Sequence, residues 1–322
     1  MYERYYGLQV RPFDLSPDPR FLFLSNRHRE ALTHLKYGLG ERPGLTVLTG
    51  EAGTGKTTLI KTALQTINGS VARLVQLSNP TLTRSEFFEY LATGYGFTSH
   101  AALSKTRFLA ELEQALGTPG SAVLALVVDE AQSLPFELLE EIRLLTNLDD
   151  GQGRTLAVAL VGQPELAERL NDPTLRQLKQ RITLRCELEP LSLAETAAYI
   201  TARVRVAGGR AELLFSREAV IAIQEYSKGI PRTISVICDN ALVNGFAAGL
   251  KPVGRDIVLD VCRDFHIRNS QIVNVKPAVP APPSGRQSAG APRMKAATDD
   301  ETAPERQPLF QNVGRPRRFS FF

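Results

Sequence analysis

The chain has 322 residues, of which 43% are hydrophobic and 22% charged, enough apolar material for a sizeable core in one or two domains. Its formal net charge is +4, and residues 271–322 account for that excess, with eight Lys or Arg against four acids. The rest of the chain is balanced, which argues against a dedicated nucleic-acid-binding domain with a basic face.

Targeting and redox signals are sparse. The N-terminus lacks the basic and apolar regions of a signal peptide, and no apolar stretch reaches the ~18 to 20 residues of a bilayer span. The three cysteines are far apart and show no metal-ligand spacing. We therefore expect a cytoplasmic protein, at most peripheral at the inner face of the membrane, in which Cys186, Cys238 and Cys262 have packing roles.

The first predicted strand leads into a phosphate-binding loop. Residues 50–58 read Gly-Glu-Ala-Gly-Thr-Gly-Lys-Thr-Thr, after the apolar run 45–49 and before a helical segment that ends near residue 67. This strand–loop–helix context is what a P-loop requires. Its glycines let backbone N–H groups turn onto an anion, and the helix N-terminus adds partial positive charge. The residues predicted to bind ATP are Gly50, Glu51, Ala52, Gly53, Thr54, Gly55, Lys56, Thr57 and Thr58.

Two of these residues have more specific predicted roles. Lys56 is expected to reach the β- and γ-phosphates of ATP, where its charge offsets theirs. Thr57 is expected to place a hydroxyl on Mg²⁺.

The most apolar run of the chain, residues 122–128, predicts a central parallel strand buried on both faces. It ends in Asp129-Glu130-Ala131-Gln132. Acids at the carboxyl end of such a strand face the crevice where ligands bind in open α/β sheets. We predict that Asp129 holds Mg²⁺ and that Glu130 is the catalytic base that deprotonates the attacking water.

The remaining patterns divide the body in two. Between residues 40 and 191, apolar runs alternate with helical patterns, which predicts a parallel sheet with helices on both faces. The expected strands are 45–49, 71–78, 122–128, 155–162 and 182–188, and the expected helices are 28–39, 55–67, 83–95, 104–116, 135–147, 164–170 and 174–180.

After Pro190 the patterns are helical. Ser192 and Glu195 have the spacing of a capping box, Ser216 is a second N-cap, and Pro231 is at the first turn of a third helix. A fourth helix is expected over 254–265. From about residue 269, Pro, Ala, Ser and charged residues dominate, which predicts a disordered tail.

The basic and aromatic end of the tail, residues 315–322, has two interpretations. It is either an unstructured end that keeps the chain soluble or a segment that docks on a partner or an anionic surface.

The fold class expected is thus an α/β P-loop sheet sandwiched by helices, then a small all-α lid domain and a disordered tail. This is the two-part body of an AAA+ ATPase. The expected domains are an N-terminal segment packing on the nucleotide site (1–40), the α/β domain (41–191), the helical lid (192–268) and the tail (269–322).

Residues 1 to about 268 resemble one AAA+ family, the ExeA/GspA-type general secretion ATPases and their exosortase-associated relatives. Secretion members of this family continue into a membrane span and a periplasmic peptidoglycan-binding domain. This sequence predicts neither, so the soluble exosortase-associated branch is the closer match. The resemblance is carried by Tyr5-Tyr6-Gly7-Leu8, Pro12-Phe13, Pro17-Asp18-Pro19-Arg20-Phe21-Leu22, Ser25-Asn26-Arg27-His28-Arg29-Glu30-Ala31-Leu32, the P-loop, Asp129-Glu130-Ala131-Gln132, Val161-Gly162-Gln163-Pro164-Glu165-Leu166, Gln180-Arg181-Ile182 and Gly229-Ile230-Pro231-Arg232.

The resemblance implies ATP hydrolysis with Mg²⁺ in a homo-oligomer, a hexameric ring being one form. It also implies a protein partner in envelope export or exopolysaccharide assembly. Gln163 takes the sensor-1 role toward the γ-phosphate or the attacking water, and Arg232 the sensor-2 role from the lid. An arginine finger from a neighbouring subunit is expected among Arg176, Arg181 and Arg185, with Arg181 preferred.

Asn79 has two interpretations: it either restrains Glu130 until a partner engages or is a plain turn residue. His28 and Arg29 open a helix before the P-loop, and the segment 17–24 is placed to line the adenine pocket. For His28, Arg29 and the segment 17–24, ordinary helix-start and packing roles are favoured.

Two alternative functions share this core. A DNA-associated AAA+ protein, such as a transposition regulator or initiator relative, has the same P-loop and lid; the balanced body and the absence of a predicted winged helix disfavour it. The second alternative is a nucleotide switch that binds ATP without hydrolysing it.

Overall fold

The computed structural model describes residues 1–15, 18–41, 44–67, 71–78, 80–117, 123–148 and 155–267. The predicted tail and Asn79 lie outside these residues. The described cysteines are buried and unpaired. None of the described helices is both long and apolar enough to cross a bilayer.

The α/β half is built on one sheet of five parallel strands, in the order β2-β3-β4-β1-β5. The sequence prediction of a parallel sheet is confirmed. The strands are β1 (Leu45–Gly50), β2 (Val71–Leu77), β3 (Val123–Val128), β4 (Ala157–Gly162) and β5 (Ile182–Leu188).

The helices follow the predicted pattern, with three short additions. α1, α5 and α11 have five residues or fewer, too short to show an apolar period. The helices are α1 (Tyr2–Tyr6), α2 (Asn26–Lys36), α3 (Lys56–Thr66), α4 (Arg84–Tyr95), α5 (Ser99–Leu103), α6 (Lys105–Leu116), α7 (Phe136–Leu145), α8 (Pro164–Arg169), α9 (Arg176–Lys179), α10 (Leu193–Val206), α11 (Ala211–Leu214), α12 (Arg217–Ser227), α13 (Pro231–Ala247) and α14 (Arg255–Asp264). Single turns are Pro19–Phe21, Tyr37–Glu41, Ala131–Ser133 and Pro173–Leu175.

Both faces of the sheet are covered because successive side chains of a strand point to opposite faces. On β1, Leu48 packs with α2 and α3, whereas Val47 packs with α4, α6 and α7. On β3, Ala125 packs in the same cluster as Leu48, and Leu126 packs in the same cluster as Val47. The central strands are therefore buried on both sides, which leaves their carboxyl ends as the open edge.

The helical half, α10 to α14, has its own core. The predicted capping box is present: Ser192 accepts from the backbone N–H of Glu195, whose carboxylate accepts from the Ser192 N–H. Ser216 caps α12, and Pro231 opens α13. These caps satisfy N–H groups that a helix start leaves without partners.

The first residues of the N-terminal segment pack into the helical half. Tyr2, Tyr6, Leu8 and Phe13 are buried in the core of the helical half. Farther along this segment, α2 lies beside the P-loop, where Nε2 of His28 is 2.9 Å from the Thr54 carbonyl.

Candidate functional site

The loop between β1 and α3 has the backbone of a phosphate cradle. Gly53 and Gly55 have φ of 85° and 103°, values that side-chain-bearing residues rarely adopt. No side chain caps the N-terminus of α3, and its first turn contains no acid. The first N–H groups of this helix are therefore free to meet an anion, with the helix dipole behind them.

Lys56 is held inside this loop. Its side chain is buried, and Nζ donates to the carbonyl oxygens of Gly50 at 2.8 Å and Glu51 at 3.0 Å. Burial lowers the pKa of Lys56, while the nearby carboxylates of Glu130 and Asp129 act in the opposite direction. The ammonium group thus lies next to the cradle and faces the acidic strand end.

The other loop residues complete the turn. Thr54 is buried, and its hydroxyl donates to the Glu51 carbonyl at 2.8 Å, which tightens the loop. Ala52 and Thr58 are exposed.

Asp129 follows β3 directly and stays in its ladder, because its N–H donates to the Leu77 carbonyl of β2 at 2.9 Å. The Thr57 hydroxyl donates to Oδ2 of the buried Asp129 at 2.8 Å. A hydroxyl and a carboxylate in contact at a phosphate cradle are the oxygen donors that Mg²⁺ takes, so these two residues fit the ion.

Glu130 has an unusual backbone, with φ of 55°, a left-handed conformation that is strained for a residue with a side chain. Its carboxylate oxygen Oε2 accepts from the amides of Gln132 at 2.6 Å and Gln163 at 3.3 Å. These bonds, the one from Gln132 foremost, lower the pKa of Glu130. The carboxylate is therefore kept ionised, as a general base must be.

Gln163 lies where the sequence predicts it, at the end of β4 and beside the end of β3. Gln132 was not predicted to have a role, although it stands in the quoted Asp-Glu-Ala-Gln motif. One interpretation of the sequence was that Asn79 restrains Glu130. Asn79 lies outside the described residues.

The helical half touches the loop through Arg232. Its backbone N–H donates to the Gly53 carbonyl at 3.2 Å. A Cβ on Gly53 would lie 2.8 Å from Cβ of Arg232, so only glycine fits this contact without a shift. The side chain of Arg232 is exposed, and its Cβ lies next to the cradle.

Arg181 lies away from this group. Ile182 pairs with Leu45 and Leu188 with Gly50, so Arg181 precedes β5 at the edge of the sheet opposite the P-loop. Arg176, Arg181 and Arg185 are all exposed. The structure brings Lys56, Thr57, Asp129, Glu130, Gln163 and Arg232 together around one loop, and leaves the arginine-finger candidates outside it.

His28 is a further residue of the site. Its Nε2 is 2.9 Å from the Thr54 carbonyl, and Nδ1 is 2.7 Å from Oγ of Ser25. A carbonyl only accepts, so Nε2 carries the proton and Nδ1 accepts from the serine. Burial lowers the pKa of His28 and favours this neutral form. The sequence marked His28 at a helix start but did not show its contact with the loop.

Comparison with known proteins agrees with this geometry. Residues 39–170 match the family described as AAA domain. The chain is also 40% identical over 251 residues to general secretion pathway protein A of Aeromonas hydrophila. The match covers 77% of this chain and 46% of that protein, so the chain spans about half the length of this relative.

Solved structures agree on the fold. Cdc6p from Pyrobaculum aerophilum aligns with a TM-score of 0.60 at 20% identity, over 79% of this chain and 70% of that one. Drosophila ORC bound to DNA aligns with a TM-score of 0.58 at 21% identity, over 79% and 64%. At these identities the likeness concerns the fold alone, and it confirms the predicted P-loop AAA+ architecture.

Proposed function

We propose that this AAA protein hydrolyses ATP to assemble or remodel a partner protein complex in envelope export or exopolysaccharide assembly. The observation that carries the proposal is the contact of Thr57 with Asp129 at the mouth of the P-loop, with the Glu130 carboxylate next to it. The 40% identity to general secretion pathway protein A supports the link to export. We also propose that the chain belongs to the exosortase-associated branch of these ATPases. The place of action is the cytoplasm, at most the inner face of the membrane.

Binding uses the loop. The N–H groups of residues 50–58 surround the phosphates, and Lys56 exchanges its two carbonyl partners for phosphate oxygens. Thr57 and Asp129 would hold Mg²⁺, which supplies charge neutralisation on the phosphates when bound.

Hydrolysis uses the strand ends. A water oxygen forms a bond to the γ-phosphorus while the bond from that phosphorus to the bridging oxygen breaks, giving ADP and phosphate. Glu130 accepts the proton of the water, and the Gln163 amide orients the water or the γ-phosphate. Arg232 from the helical half stabilises the charge of the transition state.

The direct test is Lys56→Ala, measured by ATP titration and by phosphate release. Losing a charge-assisted contact to phosphate is expected to weaken ATP binding about a hundredfold and to stop turnover. Lys61→Ala, an exposed lysine of the same helix, is the control and should match the wild type.

The outcomes separate the alternatives. Normal ATP affinity in Lys56→Ala would refute the P-loop assignment. ATP binding by the wild type without turnover, with and without membrane extract, would instead identify a nucleotide-gated switch.

The proposed arginine finger requires an oligomer, since Arg181 lies away from the P-loop of its own chain. Arg181→Ala should keep ATP affinity and lose turnover. Mixing it with Glu130→Gln subunits should restore part of the turnover, because an intact Glu130 then meets an intact Arg181 across the interface. No recovery would exclude this role in trans. Unchanged activity of Arg181→Ala would move the assignment to Arg176 or Arg185.

A further inference from the structure

Gln132 is hydrogen-bonded to Glu130 and to Gln163, the two strand-end residues that the mechanism uses. It lies in the turn Ala131–Ser133, directly after the proposed base, and is half-buried. It belongs to neither the P-loop nor the metal ligands. Its hydrogen-bond partners are Glu130, Gln163 and Arg169.

Both ends of its side-chain amide have partners. Nε2 donates to Oε2 of Glu130 at 2.6 Å, and Oε1 accepts from the backbone N–H of Gln163 at 3.0 Å. A carboxylate only accepts and a backbone N–H only donates, so the orientation of the amide is determined by its partners. The side chain thus spans the ends of β3 and β4.

Its surroundings leave the amide little freedom. A Cβ on Gly162 would lie 2.6 Å from Oε1 of Gln132, which only a glycine at the end of β4 avoids. The backbone carbonyl of Gln132 accepts from the guanidinium of Arg169, the last residue of α8. Side chain and backbone are therefore both tied to the segment that begins with β4 and ends with α8.

Glu130 depends on such support. Its left-handed backbone, with φ of 55°, stores strain that surrounding contacts must maintain. Among the described residues, the amides of Gln132 and Gln163 donate to its carboxylate, and Gln132 makes the shorter bond, 2.6 Å against 3.3 Å. Releasing Gln132 would remove the shorter of these two contacts.

We propose that Gln132 is a positioning residue that holds the Glu130 carboxylate in place for catalysis and couples it to β4 and α8. This inference rests on the proposed role of Glu130 as the base. Gln132 touches neither phosphate nor metal in this mechanism. Through its bonds to Gln163 and Arg169, Gln132 links the position of the base to that of α8.

The test is Gln132→Ala, with ATP affinity and kcat measured separately on the full chain. We expect kcat to fall about tenfold or more with ATP affinity within twofold of the wild type, as for loss of alignment in the transition state. Gln65→Ala, an exposed glutamine on α3, should behave as the wild type.

A second variant tests the same contact independently. Gly162→Ala should displace the Gln132 amide and reproduce the lower kcat with ATP affinity retained, although the new Cβ would also lie 3.0 Å from Cδ2 of Leu166. Because the Gln132→Ala variant has no side-chain amide to displace, the double variant should lose less kcat than the sum of the two single losses, the remainder reflecting the contact with Leu166.

Three results would overturn the inference: an unchanged kcat, a loss of ATP affinity as large as the loss of kcat, or full additivity of the two substitutions. A wild type without turnover would instead contradict the proposed ATPase function itself.

Discussion

The two halves of the molecule use buried polar groups differently. At the open edge of the sheet, Lys56 and Asp129 are buried and charged, and their partners are loop carbonyls and a hydroxyl around a cradle. In the helical half, buried polar groups pair inside the core: the hydroxyls of Tyr199 and Ser235 are 2.7 Å apart. The Thr196 hydroxyl donates to Gln224 in the same half.

The difference shows where function and stability reside. A charge is expensive to bury, so it is retained where a ligand of opposite charge compensates it. Hydroxyl pairs within a core satisfy each other and need no ligand. Substitutions at the sheet edge should therefore change activity more than stability, and those in the helical core the reverse.

The N-terminal segment belongs to both halves. Its first part, to Phe13, is buried in the helical core, while His28 on α2 donates to the P-loop carbonyl of Thr54. Substitutions along this segment should therefore show at which residue the main effect changes from stability to activity.

The largest expected effect is at the sheet edge. Glu130→Gln should lower kcat about a thousandfold, or about 4 kcal/mol in the activation free energy, because no base takes the proton. ATP affinity and the unfolding midpoint should stay near those of the wild type. Phosphate release, ATP titration and thermal unfolding check the three quantities. Wild-type turnover would remove Glu130 from the role of base.

Phe13→Ala should show the opposite behaviour. Phe13 is 1% exposed and packs edge-on against Phe215 in the helical core. We expect the free energy of unfolding to fall by about 3 kcal/mol, with kcat of the folded protein unchanged. Urea unfolding followed by circular dichroism measures this, with exposed Leu15→Ala as the control. A loss of kcat without a loss of stability would contradict the separation of the halves.

His28→Ala tests the boundary between them. The Thr54 carbonyl would lose its donor in a buried position, at a cost of about 1–3 kcal/mol, and the P-loop should shift. ATP affinity is expected to fall about tenfold. His34→Ala on the same helix is the matched control. Equal losses of affinity in both variants would indicate a general disturbance of α2 and not a contact with the loop.

The smallest effect is expected for Tyr2→Phe. The Tyr2 hydroxyl donates to Oδ1 of Asp239 at 2.5 Å, and Asp239 is half-buried, so water can replace the lost donor. Stability should fall by about 1 kcal/mol, with ATP binding unaffected. Tyr5→Phe, whose ring is partly exposed, is the control. A change in ATP affinity would show that the N-terminal helix is coupled to the site.

Local sequence patterns predicted the elements that carry the chemistry. The strand expected at 182–188 is Ile182–Leu188, and the one expected at 122–128 is Val123–Val128. Apolar runs and caps are local signals, so their elements could be located to within a few residues. The placement of Gln163 beside Asp129 also followed, since adjacent parallel strands end at the same edge.

Long-range contacts could not be predicted in this way. Tyr2 bonds to Asp239, and no pattern near either residue announces a partner 237 positions away. The burial of the N-terminal aromatics in the helical half could not be predicted for the same reason. The Gln132 contact with Gln163 spans 31 residues and appears only once β3 and β4 are adjacent.

The sequence by itself determined the kind of chemistry, because a phosphate cradle is made by nine consecutive residues whose conformations are local. The tertiary structure alone decided which side chains support the carboxylate of Glu130 and where the first residues of the chain are buried. Those contacts depend on the distance and orientation of groups on separate elements, which only the packing of helices and strands sets.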